Sequence, residues 1–234
     1  MKPYQQVSIL ECGEQLLPIP LEFAIASPHP YIKLGATYGE RSPYYLRKGV
    51  LERLNVAQTH LQQQYSGWRI QIFDAYRPVE VQQFMVDYTF NELVQAQNLT
   101  LSNLSDAQKQ AIWQQVEQFW ALPSLDPATP PPHSTGAAVD VTLVDSDGSI
   151  IDMGGEIDEI SERSHPNYYK EATSPTEQQY HTHRQLLKKV MFAAGFQRHP
   201  NEWWHFSLGD QMWAWLSNQE NPTHLVVARY GRVI

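Results

Sequence analysis

The segment 122–132 divides the chain into two parts, because it cannot form regular secondary structure. It contains five prolines, three of them consecutive at 130–132. Proline lacks a backbone N–H and its ring clashes with the preceding helical turn, so neither a helix nor a central strand can run through this segment. Helical patterns lead before it, strand patterns concentrate after it, and no βαβ alternation is present. This order predicts an α+β fold.

Helices and strands are predicted from apolar periodicity and from their end signals. The predicted helices are 45–64, 79–97 after Pro78, 105–120 after an N-cap at Ser105, and 174–195. The predicted strands are 68–73, 137–144, 150–151, 203–208 and 224–229. We therefore expect one domain over residues 1–234, with helices packed on a mostly antiparallel central sheet and its functional motifs within 68–208.

Composition excludes several classes of partner. The 234 residues include 17 basic and 25 acidic side chains, a net charge of −8, and no Lys/Arg run forms a stripe that would bind nucleic acid. No apolar stretch is long enough to span a bilayer. The single cysteine, Cys12, cannot form an intrachain disulfide, and residues 1–8 lack the apolar core of a secretory signal. We expect a cytoplasmic protein without a membrane partner; its oligomeric state is not indicated.

Three side chains have the donor chemistry of a catalytic zinc site, which uses about three protein ligands and keeps one position open for water. His133, Asp140 and His205 supply two imidazoles and a carboxylate. Residues seven apart on a straight strand face opposite ways, so the chain must turn between His133 and Asp140. Gly136 permits that turn. The pattern predicts one zinc ion in a cleft on the sheet.

Two further residues have the chemistry that peptide hydrolysis needs beside a metal. Glu202 lies three residues before His205 and is the candidate general base. On an ideal strand the two would face opposite ways, so we predict a bend, bulge or helical turn between them. Arg77 is the candidate partner for an oxyanion. Taken alone, Glu202 could be a solvated surface carboxylate, and Arg77 could be a surface salt-bridge partner.

Together and in this order, these segments resemble the D-alanyl-D-alanine dipeptidases, including the vancomycin-resistance type. These are zinc peptidases related to the D-Ala-D-Ala carboxypeptidases and to the hedgehog signalling domain. Residues 74–78 (DAYRP) align with the family's Asp-Gly-Tyr-Arg-Pro, and residues 133–140 (HSTGAAVD) align with its His-x-x-Gly-x-Ala-x-Asp. Residues 202–205 (EWWH) align with its Glu-x-Trp-His.

A fourth match concerns the substrate. Residues 153–158 (MGGEID) and 161–165 (SERSH) are similar to the dipeptidase segment in which an aspartate pairs with the substrate's free ammonium, and Asp158 occupies that position. Two departures affect the substrate pocket. Pro131 stands where the family often has serine, and Gly35 stands where it has the tyrosine of a Tyr-Ala-Thr run. Tyr31 and Tyr38 are the candidates to replace that ring.

The resemblance implies zinc-dependent hydrolysis of D-Ala-D-Ala or a similar small dipeptide. Zinc on His133, Asp140 and His205 would activate water, Glu202 would move its proton, and zinc with Arg77 would stabilise the oxyanion. Two alternatives stay open: a related zinc carboxypeptidase or endopeptidase acting on longer cell-wall peptides, and a non-catalytic zinc-binding module. Asp74 and Glu162 are candidates to orient the metal ligands.

Overall fold

A computed structural model of the chain describes residues 2–233, without the side chain of Phe119. The helices are α1 (Pro30–Leu34), α2 (Lys48–Gln64), α3 (Val79–Ala96), α4 (Asp106–Phe119), α5 (Pro175–Ala193) and α6 (Gln211–Glu220). The strands are β1 (Leu16–Pro18), β2 (Ala24–Ile25), β3 (Tyr45–Arg47), β4 (Arg69–Asp74), β5 (Ala138–Val144), β6 (Gln197–Arg198) and β7 (His205–Ser207). No helix within the described part of the chain is long and apolar enough to cross a membrane.

The central sheet has five strands in the order β2-β4-β5-β7-β6. Only β2 and β4 run parallel, and every other neighbouring pair in this sheet is antiparallel. Strands β1 and β3 form a separate antiparallel pair. The α+β class and the mostly antiparallel sheet predicted from the sequence are therefore confirmed.

The two faces of β5 have different chemistry, and this difference creates the site. All seven of its residues are buried. Because side chains alternate along a strand, Val139, Val141 and Leu143 share one face, where they join the main apolar core between the sheet and helices α2 and α5. Asp140 points to the opposite face. An irregularity between Ile72 and Asp74 shifts the register of β4, so that Asp74 pairs with Asp140.

A second apolar cluster lies between helices α3 and α4, which contact each other along their lengths. It includes Tyr31 from α1 and Trp120 at the C-terminal end of α4, both buried. The predicted N-cap of α4 is confirmed, because the Ser105 side chain accepts the Gln108 backbone N–H in a capping box. This helical pair forms the wall of the cleft that faces the second side of the sheet.

The predicted helix 45–64 was wrong at its start. Residues Tyr45–Arg47 form β3, and the helix begins at Lys48. Pairing with β1 explains the difference, and the Arg47 side chain anchors the strand by donating from Nε to the Thr135 carbonyl and from Nη2 to the Gly231 carbonyl. These contacts join distant segments, and no local pattern specifies them.

The strands predicted after residue 145 are shorter in the structure or are replaced by isolated bridges. Residues 203–208 contain only the short β7, while Ile150 and Ala228 form isolated bridges in place of the predicted strands 150–151 and 224–229. The short strand β6 takes the edge beside β7, and Ala228 instead bridges to Ile9. Helix α6 was missed, although Asp210 caps it by accepting the Trp213 N–H.

Gly136 is required where the chain turns into β5. Its φ of +68° is left-handed, and an added Cβ would collide with the Leu16 side chain. We expect Gly136→Ala to lower the free energy of unfolding by about 2–4 kcal/mol, from backbone strain plus overpacking. Gly148→Ala is the matched control, because φ is +86° there and the added Cβ meets nothing within 4 Å. Equal losses for both variants in urea titrations would contradict the collision.

Candidate active site

The three predicted metal ligands converge at one point. His133 Nε2 lies 3.1 Å from His205 Nδ1 and 3.2 Å from Asp140 Oδ2, and Asp140 Oδ1 lies 3.0 Å from His205 Nδ1. All three ligand atoms lie within 4.8 Å of one another, and all three residues are buried. A tetrahedral zinc ion with bonds of ~2.0–2.2 Å needs ligand atoms a little over ~3 Å apart. The donor set and its spacing therefore fit zinc.

Hydrogen bonds fix both imidazole rings with one nitrogen turned to this point. The 3-10 turn Pro132–Thr135 carries His133, whose Nδ1 donates to the Ala75 carbonyl at 2.7 Å and leaves Nε2 as the ligand atom. At the start of β7, His205 Nε2 lies 3.4 Å from Ser207 Oγ, which donates to Asp210 at 2.8 Å. Such partners orient a ligand histidine and set which nitrogen is free.

Glu202 lies beside the ligand group and outside it. Its Oε2 is 3.8 Å from His205 Nδ1, and its Oε1 is 3.5 Å from His199 Nδ1. Bends at Trp203 and Trp204 separate Glu202 from β7, so the predicted break in the strand is confirmed. Burial, reinforced by the negative charges of Asp140 and Asp158, raises the pKa of Glu202 well above its ordinary value. A carboxyl with this property can hold and move a proton near neutral pH.

Arg77 is buried and held by four side chains. Its Nε donates to Asp74 at 2.8 Å and its Nη1 to Gln82 at 2.9 Å. Its Nη2 donates to the Tyr31 hydroxyl at 3.0 Å and to Asp140 at 3.2 Å. This network places a permanent cation next to the ligand carboxylate, with one Nη1 N–H still available to a ligand.

Asp158 lines the cleft next to Tyr31 of α1. Its backbone has a left-handed φ of +64°, which aspartate tolerates better than most side chains. Its Oδ2 accepts the Tyr31 hydroxyl at 2.7 Å. Burial and the negative charge of Asp140 raise the pKa of Asp158 to about 7, so a cation beside it would favour the charged form.

Of the two tyrosines considered as replacements for the missing ring, Tyr31 reaches the cleft network through Asp158 and Arg77. Tyr38 instead donates to Asp74 at 3.1 Å, behind the site. Asp74 lies 3.6 Å from His133 Nδ1, which is bonded to the Ala75 carbonyl instead, and Glu162 is exposed on a surface turn.

Sequence reasoning missed several residues that line the same cleft: Lys2, Tyr4, Gln82, Trp120 and His199. The segment 2–6 carries no motif, and Gln82 and Trp120 belong to ordinary amphipathic helices. Only His199 carried a signal, because it lies three residues before Glu202 in a stretch already assigned to the site.

The cleft brings two imidazoles and a carboxylate together, with a buried glutamate and an arginine beside them. This arrangement is typical of metal-dependent peptidases. Comparison with known proteins makes the assignment specific. Residues 24–227 match the peptidase M15 family, described as D-ala-D-ala dipeptidase. The chain therefore belongs to the D-Ala-D-Ala dipeptidase family, and it is a peptidase.

Individual relatives agree with this family. A D-alanyl-D-alanine dipeptidase of Synechocystis sp. is 52% identical over 240 residues, which cover 100% of this chain and 97% of the relative. A D-alanyl-D-alanine dipeptidase of Enterococcus faecalis is 30% identical over 166 residues, covering 70% of this chain and 73% of its own. A solved vancomycin-resistance D,D-pentapeptidase in complex with Zn(II) aligns with a TM-score of 0.48 at 14% identity, covering 88% of this chain and 93% of that chain.

Proposed function

We propose that this chain is a zinc-dependent dipeptidase that hydrolyses the peptide bond of D-Ala-D-Ala. The observation that carries this proposal is the position of Glu202. Its carboxyl lies 3.8 Å from a ligand atom of His205 without belonging to the ligand group itself. A structural metal site has no use for a buried carboxyl in that position, whereas a hydrolytic site needs a proton carrier there.

The ion would be held by His133, Asp140 and His205, and all three residues line the cleft. Bound there, zinc would act as a Lewis acid and lower the pKa of water to about 7. The other functions fall to side chains of the chain. Glu202 removes the proton from the attacking water and then passes it to the amine of the departing residue.

Arg77, which donates to Asp140, would support the attack of water on the peptide carbonyl. Its contacts with Asp74, Gln82 and Tyr31 fix the guanidinium before substrate arrives, so no reorganisation is needed during the reaction. The remaining Nη1 N–H is the group that we assign to the developing oxyanion. Mobility would weaken this stabilisation, which explains why so many partners hold one side chain.

Asp158 would select substrates with a free ammonium group, which separates a dipeptidase from an enzyme that acts on longer peptides. We expect Asp158→Asn to raise KM for D-Ala-D-Ala by about 10- to 100-fold, the cost of a lost charge-assisted hydrogen bond. The measurement is steady-state hydrolysis of D-Ala-D-Ala and of its N-acetyl form. Asp147→Asn, in an exposed turn, is the matched control. Faster hydrolysis of the N-acetyl form by the wild-type enzyme would contradict this role.

The proposed function as a whole is tested by release of D-alanine from D-Ala-D-Ala, with L,L and L,D dipeptides alongside. Activity should depend on zinc and should be highest for the D,D dipeptide. A zinc-loaded, folded protein that leaves D-Ala-D-Ala intact would refute the proposal.

A further inference from the structure

A free dipeptide brings two opposite charges into the cleft, and the proposed function accounts for only one of them. The ammonium meets Asp158, while the C-terminal carboxylate also leaves water when the substrate binds. A carboxylate removed from water is stabilised only by a cation or by several donors. The site should therefore offer the carboxylate a cation or a set of donors, and a cation would also match the charge of the substrate.

Among the described residues that line the cleft, the basic side chains that are always charged or nearly so are Arg77 and Lys2. The Arg77 guanidinium is held by Asp74, Asp140, Gln82 and Tyr31, and its one remaining N–H is assigned to the oxyanion. The His199 imidazole is already engaged, because its Nδ1 lies 3.5 Å from Glu202 Oε1. Lys2 is thus the cation with free binding capacity.

The Lys2 ammonium has donors to spare. Within residues 2–233 it makes one hydrogen bond, a long one of 3.4 Å to the Glu117 carbonyl, and no ion pair. An ammonium group has three N–H donors, so two remain for a ligand. Burial lowers the pKa of Lys2, while Glu202 and Glu117 oppose that shift by electrostatic attraction. A bound substrate carboxylate would likewise raise the pKa of Lys2.

The segment that carries Lys2 is fixed in place. Residues Pro3–Gln6 form a 3-10 turn packed against α6, and Tyr4 within it is buried. The Gln211 side chain donates to the backbone carbonyls of Gln5 and Val7, at 3.3 and 2.7 Å. Segment 2–7 is therefore a wall of the cleft.

We infer that Lys2 binds the C-terminal carboxylate of the dipeptide, an assignment that rests on the proposed function. Lys2 lines the cleft with its ammonium beside the Glu117 carbonyl of α4, whereas Asp158 is held by the Tyr31 hydroxyl. Glu202 delivers its proton to the amine of the departing residue, and that residue also carries the carboxylate. Two extended residues span at most about 7 Å, so both charged ends stay close to the scissile bond. Together, Lys2 and Asp158 would measure the length of the substrate.

The test compares D-Ala-D-Ala with D-alanyl-D-alaninamide, which keeps the scissile bond and lacks the carboxylate. In the full-length, zinc-loaded enzyme, Lys2→Gln should raise KM for the acid by about 10- to 100-fold, as expected for loss of a charge-assisted contact. It should leave KM for the amide unchanged, and kcat for the acid should change far less than KM. Lys2→Arg should restore most of the loss.

Lys48→Gln is the matched control, because that side chain is exposed on α2 and should alter neither substrate. If Lys2→Gln weakens acid and amide equally, Lys2 only supports the segment, and the inference is overturned. If it changes neither, the carboxylate is bound elsewhere, with the same consequence. A wild-type enzyme that cleaves neither substrate would refute the proposed function itself, which distinguishes that failure from the failure of Lys2.

Discussion

Glu202→Gln should lower kcat for D-Ala-D-Ala by about 10²–10⁴-fold while the protein stays folded and keeps its zinc. The range is that of a lost general acid–base catalyst. The glutamine amide fills nearly the same space, so the packing around Trp203 and Trp204 should be preserved. It cannot take up and release a proton, whereas the Glu202 carboxyl can, and burial raises the pKa of that carboxyl.

The experiment requires two measurements on the same preparation. Zinc per chain is determined by elemental analysis, and kcat is determined at saturating substrate. Glu80→Gln is the matched control, because Glu80 is exposed in the first turn of α3 and should behave as wild type. A Glu202→Gln enzyme with one zinc ion and wild-type kcat would exclude Glu202 as the proton carrier. A variant without zinc would instead show that Glu202 helps to hold the ion.

His205→Ala should abolish both stoichiometric zinc binding and hydrolysis, because two ligands remain where a catalytic site uses three. The matched control is His199→Ala. That histidine is also buried beside Glu202 and lies 5.6 Å from His205 between ring centroids, but it does not belong to the ligand group. We therefore expect His199→Ala to retain one zinc ion per chain. A folded His205→Ala protein that still binds one ion would show that the metal lies elsewhere.

Removal of the ion from the wild-type enzyme gives a second readout, which is independent of activity. A ligand at about 1,000 times its Kd stabilises the folded state by about 4 kcal/mol. For a chain of this size, each kcal/mol shifts Tm by about 2–4 °C, so chelation should lower Tm by about 8–16 °C. Added zinc should restore both Tm and hydrolysis. An unchanged Tm after complete removal of zinc would argue against a site built from three buried side chains.

The convergence of His133, Asp140 and His205 was predictable from the sequence because local chemistry specifies where each lies. Gly136 lets the chain turn after His133, and the β-branched residues after it favour the strand that carries Asp140. The break between Glu202 and His205 followed from strand geometry alone. In each case a few adjacent residues contained enough information, and the motifs that resemble the dipeptidase family were made of such residues.

The remainder of the cleft was decided by tertiary structure. Tyr31 bonds to Asp158 across 127 positions, and the Lys2 segment is held by Gln211 across more than 200. Contacts of this kind depend on how sheet and helices pack, and neither periodicity nor spacing encodes them. The sequence by itself therefore determined which chemistry the protein carries and the class of its fold. Only the tertiary structure decided which charged side chains line the cleft, because burial and long-range hydrogen bonds select them.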